Sequence, residues 1–187
     1  MAIARLRELL TRPSTDAARG LLGWALFVDG VGGTITEVEA YDQEDAASHS
    51  YGGPRGRNTV MFGPAGHLYV YRSYGLHWCA NVVCGPEGHG AAVLLRALEP
   101  TRGLAEMRAR RGVDDERLLC AGPGRLAQAL GLTGADTGAP VDDPRFAWVA
   151  PAGSVPVTAG RRIGISKDVE REWRYTLTGS PTSRGRR

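Results

Sequence analysis

The order of hydrophobic and polar residues along the chain predicts a domain built mainly from β-strands. Short apolar or alternating runs recur and are separated by turns rich in glycine and proline. The segment Asp29-Gly30-Val31-Gly32-Gly33 predicts a hairpin turn between the first two runs. The predicted strands cover residues 24–28, 34–41, 67–73, 77–83, 91–98, 161–166 and 173–178, with a further short strand at 146–149.

Helical patterns are fewer than strand patterns. Three helices are predicted, over residues 14–22, 101–111 and 123–130. The first begins at the capping sequence Ser14-Thr15-Asp16, and the third is preceded by a Gly-Pro pair and followed by a glycine. Residues 42–66 form the longest irregular stretch in the first half of the chain, and so long a loop in a compact domain is usually either functional or disordered.

The predicted strands dominate and their connections are short, so we expect an α+β fold with a mainly antiparallel sheet. A chain of 187 residues suits one domain. We assign this domain to residues 14–181, with residues 1–13 as a mobile N-terminal extension and residues 182–187 as a basic tail. The sequence contains neither an apolar run of about 18 residues nor a signal peptide, so we expect a cytoplasmic protein without a membrane anchor.

The charge balance is slightly positive, with 23 basic against 20 acidic residues and a formal net charge of +3. Lys167 is the only lysine. Arginine suits phosphate binding, but a GC-rich genome produces the same preference. The three cysteines have no CxxC spacing, and the segment from His77 to His89 matches no zinc module, so we expect reduced thiols and no metal.

Two carboxylates and a tyrosine alternate in the segment Glu37-Val38-Glu39-Ala40-Tyr41. On a strand, the two glutamates and the tyrosine point to one face, while Val38 and Ala40 point to the core. Carboxylates of this kind commonly cover the solvent side of a sheet. They can also act as an acid and a base, about 7 Å apart by strand rise. The pattern alone leaves both readings open.

Aromatic and arginine side chains concentrate around the next hairpin. Tyr69 and Tyr71 share a strand face, and Tyr74 lies at the corner of the turn. Tyr74 is either an ordinary turn residue or a wedge that enters a base stack. Three arginines lie on the same stretch of chain: Arg55, Arg57 and Arg72. Aromatic stacking combined with arginine–phosphate contacts is typical of nucleic-acid binding and favours the wedge.

Two further features bear on charge. Arg96 shares a predicted strand face with Leu94 and Leu98, and a buried arginine needs an anionic or carbonyl partner. Arg96 is therefore either part of a structural ion pair or a group that positions a catalytic acid. At the start of the third predicted helix, the Gly124-Arg125 pair follows Gly-Pro and leaves backbone N–H groups free for a phosphate.

Eight motifs occur in a specific order along the chain: Glu37-Val38-Glu39-Ala40-Tyr41, His49-Ser50, Arg57-Asn58, Met61-Phe62, Leu68-Tyr69-Val70-Tyr71, Tyr74-Gly75, Asn81 and Leu94-Leu95-Arg96-Ala97-Leu98-Glu99-Pro100. This order resembles the alkyladenine (3-methyladenine) DNA glycosylase family. The likeness runs from about Ser14 to Pro181 and so covers nearly the whole chain.

The resemblance implies a single-domain α+β fold around a curved antiparallel sheet, without a helix-hairpin-helix, a metal or a cofactor. It implies that Glu39 is the general base that activates water, and that Arg96 and the backbone of Ile163 help to hold that water. It also implies that Asn81 lies on the pocket floor and disfavours the exocyclic amine of guanine. The implied base-pocket residues are Tyr41, His49, Tyr71 and Asn81, and Tyr74 would fill the gap left in the duplex.

The expected activity is removal of alkylated or deaminated purines from double-stranded DNA by a monomeric hydrolase. We expect no lyase step, because Lys167 matches no nucleophile position. The expected contacts with the DNA backbone come from Arg55, Arg57, Arg72, Gly124 and Arg125. The main rival is a non-catalytic nucleic-acid-binding module that uses the same aromatic and arginine surface. A carbohydrate hydrolase is disfavoured, because two carboxylates on one strand cannot flank a sugar from opposite sides.

Overall fold

The apolar runs assemble into one antiparallel sheet in the computed structural model, which describes residues 1–180. Its strands are β1 (Ala25–Val28), β2 (Val31–Asp42), β3 (Leu68–Ser73), β4 (His77–Val83), β5 (Ala91–Arg102), β6 (Phe146–Val149), β7 (Val157–Gly160) and β8 (Arg174–Leu177). The order across the sheet is β3-β4-β5-β2-β1-β6, and β8 pairs with both β2 and β7. Because all of these pairings are antiparallel and helices flank the sheet, the predicted α+β class is confirmed.

Two helices precede β1, and three more lie between β5 and β6. They are α1 (Ala2–Leu10), α2 (Ser14–Leu21), α3 (Leu104–Arg111), α4 (Glu116–Leu119) and α5 (Pro123–Leu130), with 3-10 turns at Gly56–Phe62 and Gly134–Asp136. The three predicted helices are present as α2, α3 and α5, but α3 begins at Leu104 rather than at residue 101, because residues 101 and 102 still belong to β5. Within residues 1–180, no helix is long and apolar enough to span a membrane.

The N-terminal residues differ from the expected extension over residues 1–13, because they contain the helix α1. Leu6 and Leu10 on this helix are completely buried in the hydrophobic core. Ile3, Leu6 and Leu10 follow the i, i+3, i+7 spacing of an amphipathic helix, so the signal was present in the sequence. The expected tail at residues 182–187 lies outside the described residues.

The predicted strand at residues 161–166 is wrong. The strand that pairs with β8 is β7, which ends at Gly160, and residues 161–166 form a loop. The apolar–polar alternation of this segment imitates a strand. In the structure, however, the backbone N–H of Ile163 donates to the carboxylate of Glu39, 2.8 Å away, and Gly164 has a φ of +77°. The carboxylate of Glu39 therefore accepts the N–H of Ile163, which in a strand would bond to the backbone of a neighbouring strand.

The side chains of β2 alternate between a buried face and a second face, as the sequence predicts. We call the second face, which carries Glu37, Glu39 and Tyr41, the functional face. Val38 and Ala40 are completely buried in the core cluster, where they lie with Val93 and Leu95 of the neighbouring strand β5. The intervening glutamates and Tyr41 point to the other side. The period of two along the strand thus places the acidic side chains together.

The pairing of β2 with β5 is irregular at the position of Arg96. Ile35 pairs with Leu98 and Val38 pairs with Leu95, and the register shifts twice between these pairs. These shifts leave Arg96 without a Cα partner on β2 in the register. Bulges of this kind redirect a side chain, and they are frequent beside active sites. Here Arg96 reaches the glutamates of β2 on the functional face.

Candidate active site

A cavity of about 470 Å³ opens beside the functional face of the sheet. Its volume lies within the range of small-molecule sites. Many of the residues singled out from the sequence line it: Glu39, Tyr41, His49, Arg57, Tyr71, Arg72, Tyr74, Asn81, Arg96 and Ile163. The other three candidates, Arg55, Gly124 and Arg125, are not among the lining residues. Residues from four strands and three connecting segments therefore converge on one space.

Glu39 lies at the wall of this cavity and is completely buried. The hydroxyl of Tyr41 donates to Oε2 at 2.8 Å, and the backbone N–H of Ile163 donates to Oε1 at 2.8 Å. Nη1 of Arg96 lies 3.4 Å from Oε1. The reading of Glu39 as a solvent-facing surface carboxylate is therefore wrong. All three neighbours are donors, which is the environment of an ionised carboxylate.

Burial raises the pKa of Glu39 above its ordinary value. The charge of Arg96 and the hydrogen bonds from Ile163 and Tyr41 oppose this rise without cancelling it, and the nearby charge of Glu37 adds to it. A carboxylate with a raised pKa is a stronger proton acceptor than an exposed one. Proton transfer is most efficient when the pKa of the catalytic group approaches the working pH, so this site suits a general base.

Arg96 connects the two glutamates of β2. Its Nε donates to Oε1 of Glu37 at 2.9 Å, and the same oxygen accepts from Nη1 of Arg174 at 3.3 Å. Glu37 is buried but does not line the cavity. Its contacts with two arginines make it a structural partner rather than a second catalytic carboxylate. This arrangement removes the geometric basis of a paired-carboxylate carbohydrate hydrolase.

Aromatic rings form the wall next to Glu39. His49 packs edge-on against Tyr71, with ring centroids 4.4 Å apart and planes at 71°. Tyr71 stacks on Tyr69 at 5.5 Å, and the hydroxyl of Tyr69 lies 3.0 Å from Nδ1 of His49. Burial, with a further contribution from Arg57, lowers the pKa of His49, which favours the neutral ring. Tyr69 also lines the cavity. The shared strand face pointed to it, yet it was not among the predicted site residues.

The loop that carries His49 is fixed by a buried asparagine that the sequence analysis did not assign to the site. Nδ2 of Asn58 donates to the backbone oxygens of His49 and Gly53 at 2.7 and 3.2 Å. Its Oδ1 accepts from the backbone N–H of Arg55 at 2.5 Å. Asn58 therefore ties the 3-10 turn to the preceding loop and sets the position of His49. The Arg57-Asn58 motif marked this residue, but its contacts depend on the folded loop.

Tyr74 projects from the turn between β3 and β4. It is 91% exposed, and its φ of +49° is unusual for a residue other than glycine. Gly75 follows with a φ of +69°, and Leu76 is also largely exposed. Strained backbone and exposed aromatic groups concentrate at functional sites. Tyr74 lines the mouth of the same cavity.

The remaining charged candidates have diverse surroundings. Arg57 and Arg72 are exposed on the cavity rim, and the guanidinium of Arg72 lies 5.8 Å from the ring of Trp78. Arg55 is exposed and donates to the backbone oxygen of Gly52 at 3.3 Å. Arg125 is half-buried, and its Nη1 is 3.4 Å from the backbone oxygen of Ala121.

Packing accounts for the glycine at the start of α5. A Cβ on Gly124 would lie 2.8 Å from the Cβ of His77, so a larger residue would push α5 away from β4. Pro123, one residue earlier, lines the cavity. The start of α5 therefore lies beside the candidate site.

Metal-binding side chains do not cluster in the described part of the chain, where no group of three or more His, Cys, Asp or Glu residues could hold an ion. Cys79, Cys84 and Cys120 are buried free thiols. Cys79 lines the cavity, and burial raises its pKa, which favours the neutral thiol.

Comparison with known proteins gives a consistent set of matches. A family model described as methylpurine-DNA glycosylase (MPG) matches residues 8–181. A protein of Nitrosospira multiformis is 58% identical over 168 residues, which are 90% of this chain and 87% of that protein. A protein of Rhodopseudomonas palustris (strain HaA2) is 55% identical over 174 residues, 93% of this chain and 87% of that protein. A protein of Agrobacterium fabrum is 53% identical over 174 residues, 93% and 89% of the two chains. Each of the three bears the name "Putative 3-methyladenine DNA glycosylase".

Proposed function

Because the chain belongs to the methylpurine-DNA glycosylase family, and is thus a DNA glycosylase that hydrolyses N-glycosyl bonds, we propose that it removes damaged purines by base flipping and Glu39-activated water. The observation that carries the proposal is the completely buried Glu39 carboxylate beside the aromatic cavity. A non-catalytic DNA-binding module would not require a buried carboxylate held by three donors at this position.

The hydrogen bonds of Glu39 define how the carboxylate would act. An ionised carboxylate offers about four lone-pair positions, and Tyr41, Ile163 and Arg96 occupy about three of them. One position is left for the O–H of a water molecule. That water would transfer a proton to Glu39 as it attacks the sugar, while the negative charge of the carboxylate stabilises the oxocarbenium character of the sugar. The hydrogen bond from the N–H of Ile163 orients the Glu39 carboxylate. In the proposed mechanism, the backbone of Ile163 also contacts the attacking water.

The aromatic wall explains why damaged purines would be preferred. Alkylation at N3 or N7 makes a purine cationic, which weakens its glycosidic bond. Tyr41, Tyr71 and His49 would enclose the flipped base, and an electron-rich cage favours a cation by roughly 1–2 kcal/mol when water is excluded. On this basis 3-methyladenine and 7-methylguanine are substrates. Hypoxanthine and ethenoadenine are neutral and would need a protonated leaving group.

Asn81 would select against normal guanine. Its side chain is buried, and Nδ2 donates to the backbone oxygen of Tyr69 at 2.9 Å, so the amide cannot turn away easily. An exocyclic amine pressed against this fixed group would lose its hydration without gaining a good partner. A buried polar group left unpaired costs about 1–3 kcal/mol, which supports discrimination by one to two orders of magnitude.

The exposed rim would bind double-stranded DNA. Tyr74 would enter the space left by the extruded base and offset part of the cost of unstacking, which is a few kcal/mol. The proposed contacts with phosphates come from Arg55, Arg57, Arg72, Gly124 and Arg125. We propose that the protein acts as a monomer on chromosomal DNA.

The reaction would end at hydrolysis and leave an abasic site. A lyase step needs an amine that can form a Schiff base with the sugar. Lys167, the only lysine, is exposed and does not line the cavity. Borohydride treatment during turnover should therefore trap no covalent protein–DNA complex. A trapped complex would contradict this part of the proposal.

The test is base release from duplexes that each carry one lesion: 3-methyladenine, 7-methylguanine, hypoxanthine or ethenoadenine. Glu39→Gln keeps the size and hydrogen-bond acceptor of the side chain, so it should still bind lesion DNA but release almost no base. Glu99→Gln changes an exposed glutamate outside the cavity and serves as the matched control. Lesion binding without base release by the wild-type protein would instead favour the non-catalytic module.

A further inference from the structure

An ion pair between two completely buried side chains, Asp45 and Arg162, joins the loop after β2 to the loop that contains Ile163. Asp45 belongs to the loop after β2, and Arg162 precedes Ile163 in the loop after β7. Nη2 of Arg162 donates to Oδ1 of Asp45 at 2.8 Å, and Nη1 donates to Oδ2. Nη1 also donates to the backbone oxygen of Ala40 at 3.1 Å. Arg162 thus connects its own loop to two nearby points of the chain, Ala40 and Asp45, which lie 122 and 117 positions earlier in the sequence.

The guanidinium also packs against two aromatic rings. It lies 4.7 Å from the ring centroid of Tyr41 and 5.4 Å from that of Trp173. In residues 1–180, Nε of Arg162 is the one buried side-chain nitrogen or oxygen without a hydrogen-bond partner. The side chain therefore acts through its two terminal nitrogens and its flat face. A lysine offers neither a planar face nor a fork.

Weaker contacts join the same two loops. The backbone N–H of Ala46 donates to Oδ2 of Asp168 at 2.9 Å, and Nη2 of Arg171 lies 3.4 Å from the backbone oxygen of Glu44. Neither Asp45 nor Arg162 lines the cavity. Their effect on a bound substrate must therefore be transmitted through their neighbours.

We propose that the Asp45–Arg162 pair is a positioning device that keeps the N–H of Ile163 and the hydroxyl of Tyr41 on the Glu39 carboxylate. Both donors belong to residues that are adjacent in the chain either to Arg162 itself or to its hydrogen-bond partner. Ile163 follows Arg162 in the chain, and Tyr41 follows Ala40, whose oxygen accepts from Arg162. Arg162 also covers the ring of Tyr41.

The energetics of buried ion pairs support this interpretation. Removing two charges from water is costly, and well-packed apolar residues often stabilise a core as well as such a pair does. Stability alone therefore does not explain why a charged pair occupies this place. A bidentate fork fixes direction as well as distance, which is what two donors aimed at one carboxylate require.

The proposal rests on the proposed role of Glu39 as the base, but it can be tested without measuring catalysis. The groups that surround Glu39 from the neighbouring elements are Arg96, Glu37, Tyr41, Tyr71, Cys79, Arg162 and the N–H of Ile163. Asp45→Asn would have two opposite effects on this carboxyl group. Loss of the Asp45 charge would lower the pKa of Glu39, whereas loss of the Ile163 and Tyr41 hydrogen bonds would raise it. The sign of the change distinguishes the two.

The experiment is a titration of Glu39 by NMR in protein with 13C-labelled glutamate carboxyl groups, with Glu39→Gln used to assign the signal. We expect Asp45→Asn to raise the pKa of Glu39 by about one to two units, the equivalent of a weakened charged hydrogen bond. Asp136→Asn is the matched control, because Asp136 is also buried and paired, 2.6 Å from Nη1 of Arg145, but lies outside the cavity. It should destabilise the protein and leave the titration of Glu39 unchanged.

Arg162→Lys provides a second test if Asp45→Asn does not fold. It keeps the positive charge but loses the fork, so an upward shift of the Glu39 pKa would again come from geometry. Base release at a fixed pH should fall by about 10²-fold, as expected for a misplaced catalytic group. An unchanged or lowered pKa of Glu39 in the folded variant would overturn the positioning role. A raised pKa of Glu39 in the variant, together with no base release by the wild-type protein, would keep this role and overturn the proposed function instead.

Discussion

Tyr41→Phe gives a sharp test of how Glu39 is tuned, because it removes one hydrogen bond and leaves the aromatic ring in place. The hydroxyl of Tyr41 donates to Oε2 of Glu39 at 2.8 Å. A hydrogen bond to a charged group contributes about 1.5–3 kcal/mol, and one pKa unit corresponds to about 1.36 kcal/mol. Loss of the donor should therefore raise the pKa of Glu39 by about one unit, since Ile163 and Arg96 continue to stabilise the carboxylate.

The consequence is visible in the pH dependence of base release. In the proposed mechanism, activity requires ionised Glu39, so base release should be present above the pKa of this group and be lost as the pH falls through it. The raised pKa of the wild-type residue places this acidic limb above the range of an ordinary carboxyl group. Single-turnover rates between about pH 5 and pH 9 should show the limb of Tyr41→Phe displaced to higher pH by about one unit. The plateau at high pH should change much less.

Tyr71→Phe is the matched control for this measurement. Tyr71 lines the same cavity and stacks on Tyr69, but its hydroxyl is not among the donors that lower the pKa of Glu39. Its acidic limb should stay close to that of the wild-type protein. If Tyr41→Phe left the limb where it is, or if both variants moved it equally, the reasoning about the Glu39 hydrogen bonds would be refuted.

Other predictions concern the DNA-binding rim and the core. Tyr74→Ala should reduce the fluorescence increase of a 2-aminopurine placed beside the lesion, since the proposed wedge would be lost; an unchanged signal would count against insertion. Arg57→Ala should lower the slope of log binding constant against log salt by about 0.9 if the guanidinium meets one phosphate, and an identical slope would exclude that contact. Leu10→Ala should lower the free energy of unfolding by about 2–5 kcal/mol, because this α1 residue is completely buried; a loss below about 0.5 kcal/mol in urea denaturation would mean that α1 does not pack on the core in solution.

The sequence predicted the parts of the site that depend on local periodicity. Alternation along β2 placed Glu37, Glu39 and Tyr41 on one face, and the structure confirms this arrangement. Alternation in β3 likewise placed Tyr69 with Tyr71. The ordered motifs predicted the family, which the comparisons confirm.

Contacts between distant segments could not be read from the sequence. Ile163 donates to Glu39 across 124 positions, and Arg162 pairs with Asp45 across 117. Nothing in the sequence on either side of Asp45 or Arg162 distinguishes a buried ion pair from an exposed one. The same long-range contact explains the failed strand at residues 161–166, because the N–H that a strand would use is taken by Glu39.

The most direct test of the account is the rate of base release by Glu39→Gln at enzyme excess, on a duplex that contains a single 7-methylguanine. The account predicts lesion binding close to that of the wild-type protein and a rate lower by at least about 10²-fold, as expected when a general base is removed. A rate close to that of the wild-type and Glu99→Gln proteins would contradict it, since the buried carboxylate would then have no part in breaking the bond.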